Sequence, residues 1–329
     1  MQLFPDPKIL LSIGNIHVTW YAVFILTGAL IAYVLSLRTL KKWGYDSEML
    51  ENFFVPMLLI AIIGARLYYV IFYLDLYRNA DGSLNWGEMV AVWDGGLAIY
   101  GAVIAGAIVA FFYTRHKKIK LGAMTDLAVM GLLLGQCIGR WANFINREAF
   151  GAETTLPWRM RLWTSATQYI EVHPTFFYES LWNLIGLLLI LFVVSKGRRF
   201  DGENTCFYFL WYGLGRAWVE GLRTDSLYLF DWTFLGQPIR VSQALSVLLA
   251  VAAAALLFYN IKIKKHDAAD LLVNQVALTA AAEDAAQTGE SVEPAAEAPA
   301  QQETVPAPES AAAQAPEETK GEADHGDPH

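Results

Sequence analysis

Residues 241–261 read VSQALSVLLAVAAAALLFYNI, an unbroken apolar run of the length that crosses a bilayer as a helix. A second run of this kind, GGLAIYGAVIAGAIVAFFYT, covers residues 95–114. The composition agrees with them, because only 17% of the 329 residues are charged, whereas soluble domains carry about 25%. The runs therefore predict a membrane protein built from apolar helices.

Seven segments have the length and apolar content of a spanning helix. They cover residues 18–37, 52–74, 95–114, 121–139, 176–195, 204–222 and 241–261. Charged residues interrupt four of them, namely Arg66 in the second, Asp126 in the fourth, Glu179 in the fifth, and Arg216 and Glu220 in the sixth. We predict an all-α integral membrane protein with about seven transmembrane helices.

Basic residues follow every second span, which sets the expected orientation because cytoplasmic loops carry an excess of lysine and arginine. They are Arg38, Lys41 and Lys42; Arg115, Lys117, Lys118 and Lys120; Lys196, Arg198 and Arg199; and Lys262, Lys264 and Lys265. The N-terminus is then expected outside and the C-terminus in the cytoplasm.

The acidic residues are unevenly spread along the chain. The overall formal charge is -8, but much of the acidic excess lies in residues 266–329, which are rich in Ala, Glu, Pro and Gln and lack apolar periodicity. Such a segment cannot bury enough surface to fold, so we predict a disordered acidic tail. Residues 1–265 form the predicted polytopic membrane domain, which has a net basic charge. This charge suits a protein that faces anionic lipid, and lysines and arginines at the membrane edges of any such protein would give the same sum.

Three arginines lie near the expected outer ends of the spans: Arg66, Arg140 and Arg216. A single arginine there is explained by snorkelling to the headgroups. Three at similar depth, on the side that lacks a positive bias, favour convergence on one cavity. Guanidinium groups bind phosphate through paired donors. The pattern therefore predicts an outward-facing site for a lipid phosphate.

Acidic and amide side chains accompany these arginines. Glu220 is spaced to pair with Arg216 and Arg223, and Glu148 follows Arg140 in the segment GRWANFINREAFG, residues 139–151. If the helix continues through that segment, Arg140, Asn143 and Asn146 share one face. Their amides are suited to lipid oxygens or to hydrogen bonds between helices.

GRWANFINREAFG resembles, at every fixed position, the signature of the prolipoprotein diacylglyceryl transferases of bacterial membranes. Other segments resemble the same family in the expected order, and the resemblance covers roughly residues 10–262. They are HVTWYAV, GARLYYVIFY, VWDGGLAIYGA, HPTFFYES and YGLGRAWVEGLRTD.

The resemblance implies an enzyme of the bacterial cell membrane with its active site on the outer side. It would move the diacylglyceryl group of phosphatidylglycerol to the lipobox cysteine of a prolipoprotein, forming a thioether and releasing glycerol phosphate. No metal, cofactor or nucleic acid is implied. The residues carried over are Tyr21, Arg140, Asn143, Glu148, Gly151, Arg216 and Glu220, with Arg66 and Tyr212 as further contributors.

One position departs from the family pattern. Many relatives have a histidine where this chain has Tyr100, in GGLAIYGA. A histidine there would be a plausible base for the thiol, whereas tyrosine ordinarily titrates near pH 10. Either the base lies elsewhere or Tyr100 serves hydrogen bonding.

The resulting hypothesis gives each residue a role. Arg140 and Arg216 clamp the phosphate, because the leaving group gains charge in the transition state. Asn143 holds a headgroup or ester oxygen. The other expected roles are support of the clamp by Arg223 or Arg66, positioning by Glu148 and Glu220, and lining of the cavity by Tyr21 and Tyr100. His173 is left out of this set, since it fits an outer loop before a helix that opens with proline.

Two other classes are weighed against the enzyme. A lipid permease would also direct arginines into a cavity, but the halves of the chain show no convincing repeat. A membrane scaffold leaves the charged spans unexplained. The sequence lacks HExxH, CxxC, GxSxG and P-loop patterns, so it gives no indication of metal hydrolysis or nucleotide use.

Overall fold

The computed structural model describes residues 9–13, 16–45, 47–79, 81–165, 167–234, 237–276 and 278–280. Helices dominate these residues. The α-helices that carry the fold are α1 (Trp20–Lys42), α2 (Ser47–Phe72), α3 (Trp86–Val90), α4 (Ile99–Lys117), α5 (Leu121–Asn146), α6 (Thr175–Leu189), α7 (Glu203–Leu222) and α8 (Val241–Phe258). Short turns of 3-10 helix lie at Leu74–Tyr77, Val92–Asp94, Ser195–Gly197 and Ala268–Asp270, and π-helical turns at Ile190–Val194 and Tyr259–Ile263 extend α6 and α8.

Six of the described helices are long and apolar enough to cross a membrane: α1, α2, α4, α5, α6 with its extension, and α8 with its extension. Their outer surfaces expose large apolar side chains such as Leu26, Ile63, Val103 and Leu248, as a lipid-facing surface requires. The predicted sixth segment forms α7, which is helical throughout but carries Glu203, Arg216 and Glu220 and falls outside this apolar set. The count of seven spans stays a prediction.

Several predicted span boundaries differ from the structure, and two of them matter for the polar residues. The third span was expected from residue 95, but α4 begins at Ile99 because Gly95 and Gly96 adopt positive φ angles of 87° and 67°. The fourth was expected to end at Gly139, whereas α5 continues to Asn146. The helix therefore carries the polar part of residues 139–151 within its last two turns.

Helix α5 lies at the centre of the packing. In its most apolar stretch of 18 residues, 44% of the residues are buried, whereas 17% are buried in the corresponding stretches of α1, α2, α4 and α8. Its side chains meet α6 and α7 in one apolar cluster that includes Met130, Leu133 and Ile190. A second cluster joins α5 to α1 and α2 through Leu40 and Leu127. This central position lets α5 carry polar groups to protein partners at both of its ends.

Three antiparallel hairpins in the described part of the chain add strands that the all-helical prediction does not include. They are β1 (Ile9–Ile13) with β2 (Ile16–Thr19), β3 (Met160–Trp163) with β4 (Tyr169–Val172), and β5 (Tyr228–Phe234) with β6 (Gln237–Arg240). Each precedes a long helix, so the hairpins lie at helix ends and leave the helical body unchanged. The six membrane-crossing candidates among the described residues are helices, which fits the predicted helical membrane protein.

The first residues of the predicted tail are structured. His266 stacks on Phe200 at 5.1 Å, Leu271 is 7% exposed, and the backbone N–H of Leu272 donates to Asp201 Oδ2 at 2.9 Å. Residues 281–329 lie outside the described residues, so disorder there stays a prediction. The folded part thus extends beyond residue 265, the expected end of the membrane domain.

Candidate active site

A buried carboxylate gathers three arginines where α5, α6 and α7 meet. Glu179 in the second turn of α6 is 6% exposed, and its Oε2 lies 2.7 Å from Arg140 Nη2 of α5. Its Oε1 accepts a hydrogen bond from Arg216 Nη1 of α7 at 3.1 Å. Arg223 Nη1 lies 3.9 Å from the same oxygen. We call Arg140, Arg216, Arg223 and Glu179 the arginine cluster.

Glu220 holds the α7 side of the arginine cluster. Its Oε2 lies 2.6 Å from Arg216 Nη2, the i,i+4 pair that the sequence predicts. Arg240, at the end of β6, donates to the backbone carbonyl of Glu220. Gln243 donates to the carbonyl of Ala217 at 2.8 Å. Arg216 is therefore held between two carboxylates on a helix end that α8 also binds.

Arg223 takes a different partner from the one expected. The sequence places it three residues after Glu220, yet its guanidinium donates to Asp225 at 2.9 Å and 2.6 Å. The hydrogen bond from Arg223 holds the pKa of Asp225 below its usual range. This paired geometry fixes the guanidinium plane of Arg223, which is 12% exposed at the edge of the arginine cluster.

The two asparagines of residues 139–151 connect Arg140 to Glu148. Arg140 Nη1 donates to Asn143 Oδ1 at 3.4 Å, and Asn143 Nδ2 donates to Glu148 Oε1 at 2.9 Å. Asn146 Nδ2 donates to the same oxygen at 3.2 Å. The three helix residues share one face, as predicted. Among the described residues, Glu148 is linked to Arg140 through the amide of Asn143 rather than by direct contact.

Gly151 lies where three chain segments cross. Its N–H donates to the carbonyl of His173 at 3.1 Å, and the N–H of Ala152 donates to the carbonyl of Leu222 at 2.8 Å. A Cβ on Gly151 would lie 2.6 Å from His173 Cβ and 3.1 Å from both the Leu222 oxygen and Thr175 Cγ2. Only glycine fits there without a shift of backbone. This crossing ties the end of α7 to the start of α6, and so fixes the arginine cluster.

The tyrosines predicted for the site take separate positions. Tyr21 lies in the first turn of α1 and is 43% exposed, on a helix that packs along α5. Tyr100 lies in the first turn of α4, 50% exposed, with its ring 6.3 Å from that of Tyr68. Tyr212 lies one turn before Arg216 on α7. Catalytic roles for Tyr21 and Tyr100 stay predictions.

The guanidinium of Arg66 is surrounded by backbone carbonyl oxygens. Its guanidinium donates to the carbonyls of Glu88, Met89 at 2.9 Å, Gly95 and Gly96 at 3.0 Å. A Cβ on Gly96 would lie 2.6 Å from Arg66 Nη1, so glycine makes room for this contact. The structure does not bring Arg66 to the arginine cluster, and a headgroup contact for it stays a prediction.

Glu179 is the residue that our sequence reasoning missed. The sequence carries a signal for it, because a glutamate inside the predicted span 176–195 requires a cation if the helix buries it. Spacing along the chain does not identify which cation, because Arg140, Arg216 and Arg223 come from two other helices.

This arrangement suits binding of an anion at the helix ends. Each guanidinium has five N–H donors, and the contacts among the described residues occupy only some of them. The side chains of Arg140, Arg216 and Arg223 are 21%, 15% and 12% exposed, so donors remain accessible. The carboxylates hold the guanidinium groups in place before an anion arrives, and this preorganisation favours charge that develops in a reaction.

Comparisons with known proteins agree with this geometry. The family model of prolipoprotein diacylglyceryl transferase matches residues 8–259. A Listeria monocytogenes protein named phosphatidylglycerol–prolipoprotein diacylglyceryl transferase is 41% identical over 263 residues, which cover 78% of this chain and 90% of that protein. Proteins of the same name from Finegoldia magna and Streptococcus mutans are each 39% identical, covering 79% and 76% of this chain and 96% and 93% of their own lengths. The chain therefore belongs to the prolipoprotein diacylglyceryl transferase family.

Proposed function

We propose that this chain transfers the diacylglyceryl group of phosphatidylglycerol to the lipobox cysteine of prolipoproteins, the first step of bacterial lipoprotein maturation. The arginine cluster is the observation that carries this proposal. The relatives bear the name of this reaction, and the sequence signature coincides with residues that contact the cluster. The substrates are then phosphatidylglycerol and a prolipoprotein peptide.

In the proposed reaction, the cysteine thiolate attacks the glyceryl carbon that bears the phosphate. A carbon–sulfur bond forms as the carbon–oxygen bond breaks, and glycerol phosphate leaves with the electron pair. Arg140 and Arg216 bind the phosphate oxygens, since both are fixed by Glu179 and keep accessible donors. Arg223 supports them from the edge of the cluster. The thiol proton passes to solvent or to the departing phosphate.

The surroundings of the cluster have supporting roles in this proposal. Asn143 holds a headgroup or ester oxygen, and Glu148 fixes its amide. Glu220 fixes Arg216. The potential of three guanidinium groups favours the thiolate, so Tyr100 lines the cavity and does not act as the base.

We further propose seven spans, with the arginine cluster on the outer side of the bacterial plasma membrane. The ends of α1 and α4 away from the site carry Lys41, Lys42, Arg115 and Lys117, as cytoplasmic ends do. Helix α7 packs between α6 and α8, which shields its charged residues from lipid.

Release of glycerol phosphate tests the proposal. Purified protein in detergent, given phosphatidylglycerol and a synthetic lipobox peptide, should release glycerol phosphate and form a thioether. A peptide with Cys→Ser should give no release, and Arg140→Ala should reduce the rate by about 10²- to 10³-fold.

Arg161→Ala is the matched control, because Arg161 is 60% exposed and pairs with Glu171 on the β3–β4 hairpin. Its rate should stay within about twofold of the wild type. Folded protein that binds phosphatidylglycerol without releasing glycerol phosphate would contradict the enzyme and favour the permease.

A further inference from the structure

Two tryptophans join α6 to α7 by a reciprocal pair of hydrogen bonds. The indole N–H of Trp182 in α6 donates to the backbone carbonyl of Trp211 in α7 at 2.9 Å. The indole N–H of Trp211 donates in turn to the backbone carbonyl of Trp182, also at 2.9 Å. Their rings stack with centroids 4.4 Å apart and planes inclined by 17°. Each tryptophan is therefore both donor and acceptor for the other.

A glycine four residues after each tryptophan makes room for the partner indole. A Cβ on Gly186 would lie 2.4 Å from Trp211 Cδ1, and a Cβ on Gly215 would lie 2.2 Å from Trp182 Nε1. The carbonyl of a helical residue points to the residue four positions later, so the missing side chain leaves that carbonyl open to the neighbouring helix. We call Trp182, Gly186, Trp211 and Gly215 the tryptophan clasp.

The tryptophan clasp fixes the register of α6 against α7. Lipid tails are as apolar as leucine, so apolar side chains alone do not decide how far one helix slides along another in a membrane, whereas hydrogen bonds between helices do. Among the described residues, the two indole bonds are the hydrogen bonds that join α6 to α7 without a charged group. A slide of one helix along the other distorts both bonds at once.

The arginine cluster lies about one turn from the tryptophan clasp. Glu179 precedes Trp182 by three residues on α6, and Arg216 directly follows Gly215 on α7. These two charged groups share a hydrogen bond of 3.1 Å. An increase of about 1 Å in that distance would take it beyond hydrogen-bond range. The contact between Glu179 and Arg216 thus depends on the register of their helices.

We infer that Trp182 and Trp211 are positioning residues for the reaction, which act through Glu179 by setting the register of α6 against α7. This inference rests on the proposed function, because it takes the arginine cluster as the catalytic site. The indoles take no part in bond making or bond breaking. They bind backbone carbonyls and carry no charge, so they fix the helices without occupying the guanidinium donors that a phosphate needs.

The test is a double-mutant cycle on the rate of glycerol phosphate release per folded molecule. Gly186→Ala removes no group of the arginine cluster, yet its Cβ would press the indole of Trp211 away from α6. Alanine favours a helix more than glycine does, so local loss of helix would not explain a slower rate. We expect kcat to fall about tenfold, since a misplacement of about 1 Å costs up to about 10²-fold.

Glu179→Gln supplies the second arm of the cycle. If the tryptophan clasp acts through Glu179, adding Gly186→Ala to Glu179→Gln should lower kcat by at most about twofold further. Trp182→Phe and Trp211→Phe each lose one N–H donor and keep an aromatic ring. Each should lower kcat about two- to tenfold, the range for one net hydrogen bond, and should likewise have little effect beside Glu179→Gln.

Gly106→Ala and Tyr113→Phe are the matched controls. A Cβ on Gly106 has no neighbour within 4 Å, so this variant adds a methyl group without a clash. Tyr113 Oη donates to the backbone carbonyl of Met49 at 2.8 Å, so Tyr113→Phe loses a hydrogen bond between α4 and α2, away from the arginine cluster. Both controls should keep kcat within about twofold, with or without Glu179→Gln.

The outcomes separate the two proposals. If the clasp variants lower kcat by the same factor with and without Glu179→Gln, the clasp only stabilises the fold and the inference is wrong. Wild-type rates in the clasp variants also overturn it, and the two phenylalanine variants complete the cycle if Gly186→Ala does not fold. If the folded wild type releases no glycerol phosphate, the proposed function fails, and the inference fails with it.

Discussion

Helix α5 carries a buried ion network near each end, and the two differ in how fully their groups are satisfied. Near its start, Asp126 is fully buried and accepts hydrogen bonds from Gly202 N–H, Thr205 N–H and Thr205 Oγ1 at 2.9 Å each, and from Arg198 Nη1 at 3.3 Å. Arg198 is 4% exposed and lies over the ring of Trp43 at 4.3 Å. Both carboxylate oxygens have partners, and the network is closed to solvent.

The arginine cluster at the other end of α5 is built from the same kinds of group but stays open. There Glu179 is shared by three arginines that are partly exposed, and Glu220, which is also buried, pairs with Arg216. Each guanidinium has five N–H donors, and the acceptors among the described residues occupy only some of them. The comparison teaches that burial of charge does not identify a site, whereas accessible donors on a fixed guanidinium do. We therefore propose that the network of Asp126 stabilises the fold, whereas the arginine cluster binds the phosphate of the lipid.

Of the substitutions that compare the two ends of α5, Glu179→Gln should lower activity most. The amide removes the charge that holds Arg140 and Arg216, so their guanidinium groups lose the geometry needed in the transition state. We expect the rate of glycerol phosphate release to fall about 10²-fold. Glu171→Gln is the matched control, because Glu171 also pairs with two arginines but on the β3–β4 hairpin. Equal rates for the two variants would remove Glu179 from the site.

Asp126→Asn should lower the stability of the fold and leave the activity nearly unchanged. Its amide keeps one acceptor oxygen but presents N–H groups to the donors Arg198 and Gly202. Breaking such a buried pair should lower the free energy of unfolding by about 3–5 kcal/mol, as measured by thermal unfolding in detergent. Activity per folded molecule should stay within about twofold of the wild type. Asp75→Asn, at an aspartate whose side chain is 97% exposed, should leave both unchanged.

If Asp126→Asn lowered the activity per folded molecule by much more than twofold, the proposed difference between the two ends of α5 would be wrong. It would mean that the closed network also serves the reaction, through α5 itself.

Gly151→Ala should reduce both stability and activity to an intermediate extent. The new Cβ would meet His173 Cβ at 2.6 Å, which forces apart the crossing that holds α6 against α7. Overpacking of this kind costs about 1–3 kcal/mol, and we expect about a tenfold loss in rate. Gly106→Ala tests whether replacing any helical or loop glycine by alanine lowers the rate. A Cβ there has no neighbour within 4 Å, so its rate should match that of the wild type.

Asp225→Asn should give the smallest effect, and one that depends on pH. Because the hydrogen bond from Arg223 lowers the pKa of Asp225 in the folded protein, this pair stabilises the fold above the ordinary pKa of aspartate, about 4. The stabilisation is lost as the pH falls through the lowered folded pKa. Wild type and variant should therefore differ by a constant, at most about 2 °C in Tm, between pH 5 and 8.

That difference should narrow only in stronger acid. A difference that instead changes around neutral pH would show that another group titrates with Arg223.

The sequence by itself determined the helical membrane architecture, because apolar runs of bilayer length leave the backbone few alternatives to a helix. It also identified the family and placed Arg140, Asn143 and Asn146 on one helix face, since the helical period fixes neighbours three and four residues apart. Glu220 and Arg216 pair for the same local reason.

Only the tertiary structure decided which charges meet across helices. Arg140, Glu179 and Arg216 lie far apart in the chain, and their contact depends on how α5, α6 and α7 pack. Packing likewise places Arg66 of α2 against backbone carbonyls of residues 88–96, whereas Arg223 takes the nearby Asp225 as its partner. A guanidinium binds any well-placed oxygen. The position of an arginine in the sequence therefore limits its depth in the membrane but does not determine which oxygen it binds.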